Sequence, residues 1–261
     1  MNSHLVVQQQ NHISTVTLNR TEKGNALSTD MLTELEAIAR SFADDEHTRA
    51  VIIRAEGANF SFGMDLDEMA NRERPSLVML RREAELGARL MRALRDIHQP
   101  TICAIQGVAT GGATCIASAC DFRIAAENAR MGYGEVKLGI NLMWNALPLC
   151  VHLVGPARAK QLIMSGKLVA ADALAQWGFI DEICPLEELG ARALAWANDY
   201  AVLPPMAVQM IKRSINRVAG ALDEAIMHAD VDQWLLGVQS EDFTEAVSAF
   251  MHKRPGEFTG N

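Results

Sequence analysis

Three observations in the sequence predict an α/β fold. Strand, strand, helix and strand patterns follow one another within residues 5–55. Two glycine-bearing turns then each follow a predicted strand, and the pattern becomes wholly helical near residue 200. Residues 5–19 are two β-rich runs around Asn11, a turn residue, which predicts a hairpin. After the break at Gly24-Asn25, Leu32, Leu35, Ile38, Ala39 and Phe42 recur at helical spacing, with Ser28, Thr29 or Asp30 available as N-cap. Arg49 to Ala55 is a buried strand. A long amphipathic helix is expected over 75–97, with Leu80, Ala84, Gly87, Met91 and Leu94 on one face, ended by His98-Gln99-Pro100.

Thr101 to Gln106 is an apolar strand running into Gly107 to Gly112, then into small residues that suit a tightly packed helix up to Ala119. Asp121 to Ala126 returns as a strand. Beyond Pro148, helices are expected over 156–165, 170–177, 187–202, 206–218, 221–237 and 241–252, with one short strand near 179–184. The chain therefore divides into a core over 1–200 and a helical C-terminal region over 201–261. A ββα rhythm recurs without a strong sequence repeat.

The 261 residues, 49% hydrophobic and 21% charged, exclude a disordered or collagenous chain. With 32 acidic against 24 basic side chains, a net charge of −8 and no basic tract, nucleic acid is not an expected partner. Residues 99–120 contain no charged side chain, yet Pro100, Gln106 and three glycines make a poor membrane span. The N-terminal Met-Asn-Ser-His-Leu lacks a secretory pattern, so a cytoplasmic location is expected. Cys103, Cys115, Cys120, Cys150 and Cys184 are odd in number and show no CxxC spacing, which points to reduced structural thiols. No metal-ligand spacing occurs, and His98 and His152 read as capping or packing residues.

The glycine turns are where chemistry is expected. Phe60-Ser61-Phe62-Gly63-Met64-Asp65-Leu66 and Gly107 to Gly112 match neither a Walker nor a dinucleotide motif. Two readings are open. Converging N–H groups at such turns stabilise charge on a carbonyl oxygen, and glycines also simply permit tight turns and close packing.

Further segments decide between them: Leu18-Asn19-Arg20 with Gly24-Asn25-Ala26-Leu27, Gln106 to Gly112 followed by Asp121-Phe122-Arg123-Ile124-Ala125-Ala126, Gly134-Glu135-Val136-Lys137-Leu138-Gly139, and the ending Ala249-Phe250-Met251-His252-Lys253-Arg254-Pro255. In order and spacing, these segments and the 60–66 turn resemble the enoyl-CoA hydratase/isomerase (crotonase) superfamily over nearly the whole chain. The resemblance implies a crotonase-like spiral of repeated ββα units with a helical C-terminal trimerisation region, giving a homotrimer or a dimer of trimers. It implies an acyl-CoA thioester as substrate, with coenzyme A part of that substrate and no separate cofactor. By position, the N–H groups of Met64 and Gly112 are the expected oxyanion-hole donors. Met64 stands where the family usually has a small residue, which alters the expected shape of the acyl pocket.

The resemblance also assigns Glu135 as the acid–base group at the α-carbon. The second glutamate of standard hydratases falls at Cys115, and a thiol is a weak acceptor and a poor base at neutral pH. Arg20, Lys23, Ala26 and Lys253 are the expected contacts of the CoA moiety, Lys253 in one reading reaching a neighbouring subunit. Asn141 and Asn145 are expected to orient a water or a polar acyl substituent, or else to cap a helix. Met143 and Trp144 are expected to reshape the pocket. An enoyl-CoA hydratase, acting on a branched or carboxylated acyl group in one variant, is the leading reading. The alternative is a Δ3,Δ2-enoyl-CoA isomerase using one glutamate, and a third is a non-catalytic acyl-CoA-binding scaffold.

Overall fold

The computed structural model describes residues 4–71 and 75–261, and only the backbone of 69–71; Met1–Ser3, part of the N-terminal stretch read above, lie outside it. β1 (Leu5–Gln10) and β2 (Ile13–Leu18) form the expected antiparallel hairpin, with Asn11 and His12 at φ 49° and 65° in its turn. Ser28 is the N-cap of α1 (Thr29–Ser41), its hydroxyl accepting from the Met31 N–H at 3.2 Å. β3 (Ala50–Ala55), the short α2 (Leu66–Asn71) and the long α3 (Leu77–Arg95) follow, then β4 (Thr101–Ile105), β5 (Val108–Thr110), α4 (Gly112–Ala119), β6 (Phe122–Ala126) and β7 (Arg130–Gly132).

The chain continues through α5 (Ala146–Ser165), β8 (Val169–Ala170), α6 (Ala171–Gln176), β9 (Glu182–Cys184) and α7 (Leu189–Ala201). Helix α5 begins ten residues before the sequence suggests, and Gly155 at φ 74°, followed by Pro156, breaks it where the helix was expected to start. The last helices are α8 (Pro205–Ala219), α9 (Glu224–Met227), α10 (Asp230–Gly237) and α11 (Glu241–Met251). The single helix expected over 221–237 is thus two short ones.

A six-stranded sheet in the order β1-β2-β3-β4-β6-β9 is parallel beyond the first hairpin, and β5-β7-β8 form a second, smaller sheet. Successive strands alternate between the sheets: β4 lies in the large one and β5 in the small one before α4, and β6 and β7 repeat the step. This is the recurring ββα unit. Central strands are buried on both faces, as parallel strands require. Ile52, Ile102, Ala104 and Ile124 pack with Leu189, Ala193 and Ala197 of α7, while Ile53, Cys103 and Ile105 face the larger core shared with α1, α3 and α4.

The charge-free run 99–120 is therefore interior: β4, β5 and α4 fill the space between layers. Among the described residues no helix is long and apolar enough to cross a membrane. All five thiols are free and buried. Beyond α7, Lys212 of α8 is buried, donating to the Gln99 carbonyl at 2.8 Å and pairing with Asp121 at 2.6 Å. Along the same helix Met206, Met210, Ile211, Ile215 and Val218 are exposed. α10 then returns to pack on α3, and α11 packs on the single helical turn at Glu135–Leu138.

Candidate active site

The first turn is assembled by side chains that tie three segments together. Asn25, buried and at φ 55°, accepts from the Arg20 N–H at 2.8 Å and donates to the carbonyls of Glu56 and Asn59 at 2.8 and 3.0 Å. The Ser61 hydroxyl donates to the Asn25 carbonyl at 2.7 Å and accepts from the Gly63 N–H at 3.1 Å. Gly63 sits at φ 80°, where a Cβ would stand 2.6 Å from the Thr110 carbonyl oxygen, so only glycine fits.

Leu27 and Met64 form an isolated parallel bridge: the Leu27 N–H donates to Gly63 O at 2.8 Å and the Asp65 N–H to Leu27 O at 3.0 Å. In such a bridge the intervening residue turns its own N–H to the other side. The Met64 N–H has no acceptor among the described residues.

The second turn abuts the first through another parallel bridge, Ser61 with Ala109. Gly111 precedes α4 at φ 56°, and Gly112 is the first residue of that helix, where an N–H has no intrahelical acceptor. The Gly112 nitrogen lies 3.5 Å from where a Cβ on Gly63 would be. Two unused N–H groups thus flank the seam between the turns, one of them at a helix N-terminus that favours negative charge.

Glu135 closes on the same seam. Its Oε1 is 3.2 Å from the position a Cβ on Gly111 would take, and its Oε2 is buried without a partner among the described residues. Burial raises its pKa from the ordinary carboxylate value to about 7. Cys115, one turn along α4, is fully buried; burial first, then the charges of Glu135, Cys150 and Asp230, push its thiol well up, so it stays protonated. Tyr133 lies beneath, its hydroxyl 3.1 Å from Ser118.

The wall opposite differs from expectation. Asn141 donates to the Asp230 carbonyl at 3.2 Å and toward Gln233 at 3.4 Å, and the Asn145 N–H donates to Asp230 Oδ2 at 2.8 Å. With its amide oriented to satisfy its neighbours, the Asn145 side chain donates to Met227 O and Asp230 Oδ2, both at 3.2 Å. Both asparagines, expected to orient a water or a polar acyl substituent or to cap a helix, anchor the 141–145 loop to the α9–α10 region through their N–H groups; Asn145 stands at the N-cap position of α5 without a side-chain cap bond, and Asn141 Oδ1 is buried without a partner among the described residues. Trp144 does reach the site. Its ring edge lies against Gly112, where a Cβ would be 2.5 Å from Cη2, and its other end against Gly87 of α3, where a Cβ would be 2.1 Å from Nε1.

The expected CoA contacts lie on the first loop and at the far end of the chain. Arg20 Nη1 donates to Ala26 O at 2.8 Å and pairs with Asp65 at 2.7 Å, so its charge already joins the two loops. Burial pushes the Asp65 carboxyl up, but the Arg20 guanidinium and the Glu68 N–H outweigh it and hold the group below its ordinary value. Exposed Lys23 pairs with Asp67 at 3.0 Å. Lys253, exposed and at φ 52°, follows α11. Gly87 reads in the sequence only as part of the packed face of the long helix, and Asp230 carries no signal there, since an acidic residue at a helix start is common.

The pattern for enoyl-CoA hydratase/isomerase matches residues 8–261. The chain belongs to that family. Its relatives include the short-chain-enoyl-CoA hydratase of Clostridium acetobutylicum, 31% identical over 97% of this chain and 96% of that protein. The 1,2-epoxyphenylacetyl-CoA isomerase of Escherichia coli is 29% identical over 95% of each. An enoyl-CoA hydratase structure from Mycobacterium avium subsp. paratuberculosis superposes with a TM-score of 0.88 at 26% identity, covering 98% of both chains. The crotonase fold is therefore shared along the whole length, and the protein is an enzyme of a family that acts on acyl-CoA thioesters.

Proposed function

We propose that the protein moves the double bond of an enoyl-CoA through a thioester enolate, with Glu135 as the single acid–base group. The observation that carries this reading is the buried Glu135 carboxyl, at a pKa of about 7, beside the unused N–H groups of Met64 and Gly112. A base works best when its pKa lies near the operating pH. The Glu135 carboxylate removes the α-proton of a β,γ-unsaturated acyl-CoA. The electron pair enters the thioester, and the oxygen, now anionic, is held by the two N–H groups. The protonated Glu135 then returns the proton at the γ-carbon, leaving the α,β-unsaturated product with no net change in atoms.

Hydration is the second reading, favoured by relatives named as hydratases. It asks for a group to hold water at the β-carbon. Cys115 is a protonated thiol, and the Asn141 amide nitrogen and the Asn145 N–H are engaged with Asp230, which leaves the Asn141 Oδ1, buried and without a partner among the described residues, as the group of that pair open to a water.

In this reading Ala26 and Lys23 meet the CoA moiety at the first loop, Arg20 braces that loop, and Lys253 adds a cation from the C-terminal segment. The exposed apolar row on α8 supports assembly as a homotrimer or a dimer of trimers. The test runs two incubations. A β,γ-unsaturated acyl-CoA in deuterium oxide should give the α,β isomer. An α,β-unsaturated acyl-CoA in heavy-oxygen water should gain no label, and rapid incorporation of one oxygen would establish hydration instead.

A further inference from the structure

We infer that Trp144 is the end-stop of the acyl pocket, seated between Gly87 and Gly112 and held there by Asp230, and that it limits the enzyme to short acyl chains. This rests on the acyl-CoA reading above. The seat is built from both sides. A Cβ on Gly87 would fall 2.1 Å from the indole and one on Gly112 would fall 2.5 Å from it, so two helices, α3 and α4, each present a glycine where the ring lies. The Gly112 contact places the ring next to the N–H expected to hold the thioester oxygen. An acyl chain leaving that oxygen toward α3 meets the indole instead of open space. The Leu27 side chain, 3.3 Å from the same Cβ position on Gly112, bounds the seat on another side.

The backbone beneath the ring is strained. Trp144 and Asn145 both lie at positive φ, 65° and 57°, a conformation that a bulky residue adopts only when its surroundings hold it. Asp230 supplies the hold: its Oδ2 accepts the Asn145 N–H at 2.8 Å, and its carbonyl receives Asn141 at 3.2 Å. Asp230 is itself 7% exposed. The carboxylate therefore acts through the loop, as a positioning residue, and the ring it positions acts on the substrate.

Saturated acyl-CoAs test the stop without turnover, so the outcome is independent of whether the enzyme hydrates or isomerises. By calorimetry, the wild-type protein should bind butyryl-CoA at least about tenfold more tightly than decanoyl-CoA, since a methylene that does not fit is worth about that much. Trp144→Leu should reverse the order, and Trp144→Phe should leave it in place while showing that the loop tolerates substitution. Asp230→Ala should broaden the length profile toward that of Trp144→Leu, whereas Asp230→Asn, which keeps an acceptor oxygen, should restore the wild-type profile. Equal binding of both ligands by the wild-type protein, or an equal loss for both in Trp144→Leu, would overturn the assignment. Failure of either incubation described above, with the length preference intact, would instead overturn only the reaction type.

Discussion

The two sides of the site are made in different ways. The turns at 60–66 and 107–112 present main-chain N–H groups, and their geometry is dictated by glycines whose Cβ atoms would strike carbonyl oxygen or a ring. The wall at 141–145 presents a side chain, Trp144, whose place depends on Gly87, Gly112 and Asp230 from three distant elements. The first side tolerates change in its side chains and none in its backbone. The second admits change of substrate by altering a ring or its support. A site of this construction keeps its chemistry fixed while its specificity varies, because different atoms carry the two properties.

The largest effect should come from Glu135, whose carboxyl lies beside Gly111 on the backbone-built side. Glu135→Gln should lower kcat by about 10²–10⁴-fold. The same variant should be more stable than wild type at alkaline pH, because the folded-state pKa is raised. Between the ordinary carboxylate value and about 7 the native state holds more protons than the unfolded one, so stability falls as pH rises through that window. Removing the buried charge should recover up to about 3 kcal/mol above it, read from urea midpoints on either side of the window. For the wild type, the rate of proton abstraction should rise with pH through about 7. A flat profile would detach Glu135 from the chemistry.

Gly63→Ala probes the backbone-built side. The added carbon meets Thr110 O and a positive φ, which displaces the Met64 donor; a loss of about 10²–10³ in kcat is expected, as for other oxyanion donors. Met64→Ala, by contrast, should change kcat by a factor of about 3 or less, since the side chain does not supply the bond. If those two variants behaved alike, the distinction between the two sides would collapse.

Arg20→Met should act on stability more than on rate. It leaves the Asp65 carboxylate buried and unpaired, for a loss of about 3 kcal/mol at neutral pH in denaturant titrations. That deficit should shrink as pH falls and Asp65 takes up a proton, because its pairing contributes only where the carboxyl is ionised. The smallest effect on rate is expected from Cys115→Ser, with activity retained while the buried hydroxyl costs about 1–3 kcal/mol in stability.

How much of this was legible in the sequence follows the same division. The hairpin at Asn11, the Ser28 cap, the helix over 77–95 and the glycine turns are local features, set by the residues at or next to them, and the sequence shows them. Glu135 stands out in the sequence through its motif, and the structure buries its carboxyl beside Gly111. The roles of Asn141 and Asn145 were not, because an amide's partner is whatever polar group folding brings near, and Asp230 lies 85 residues beyond Asn145. Arg20 is expected from the sequence to meet the CoA moiety; that it also pairs with Asp65 is another match that only the fold makes. The single helix expected over 221–237 carries continuous helical spacing, and spacing alone does not reveal the break between α9 and α10.

The bridge between Leu27 and Met64 has a consequence of parity. Along an extended segment, alternate residues turn their N–H and C=O groups to opposite sides. Here Gly63 O and Asp65 N–H face Leu27, and Met64 is the odd member left looking toward α4. A shift of one residue in this pairing would turn the Met64 N–H inward to Leu27 and aim the Gly63 carbonyl, an electron-rich oxygen, at the place where anionic charge develops. Inserting or deleting one residue between Asn25 and Gly63 would thus convert attraction into repulsion without changing the side chains at the site.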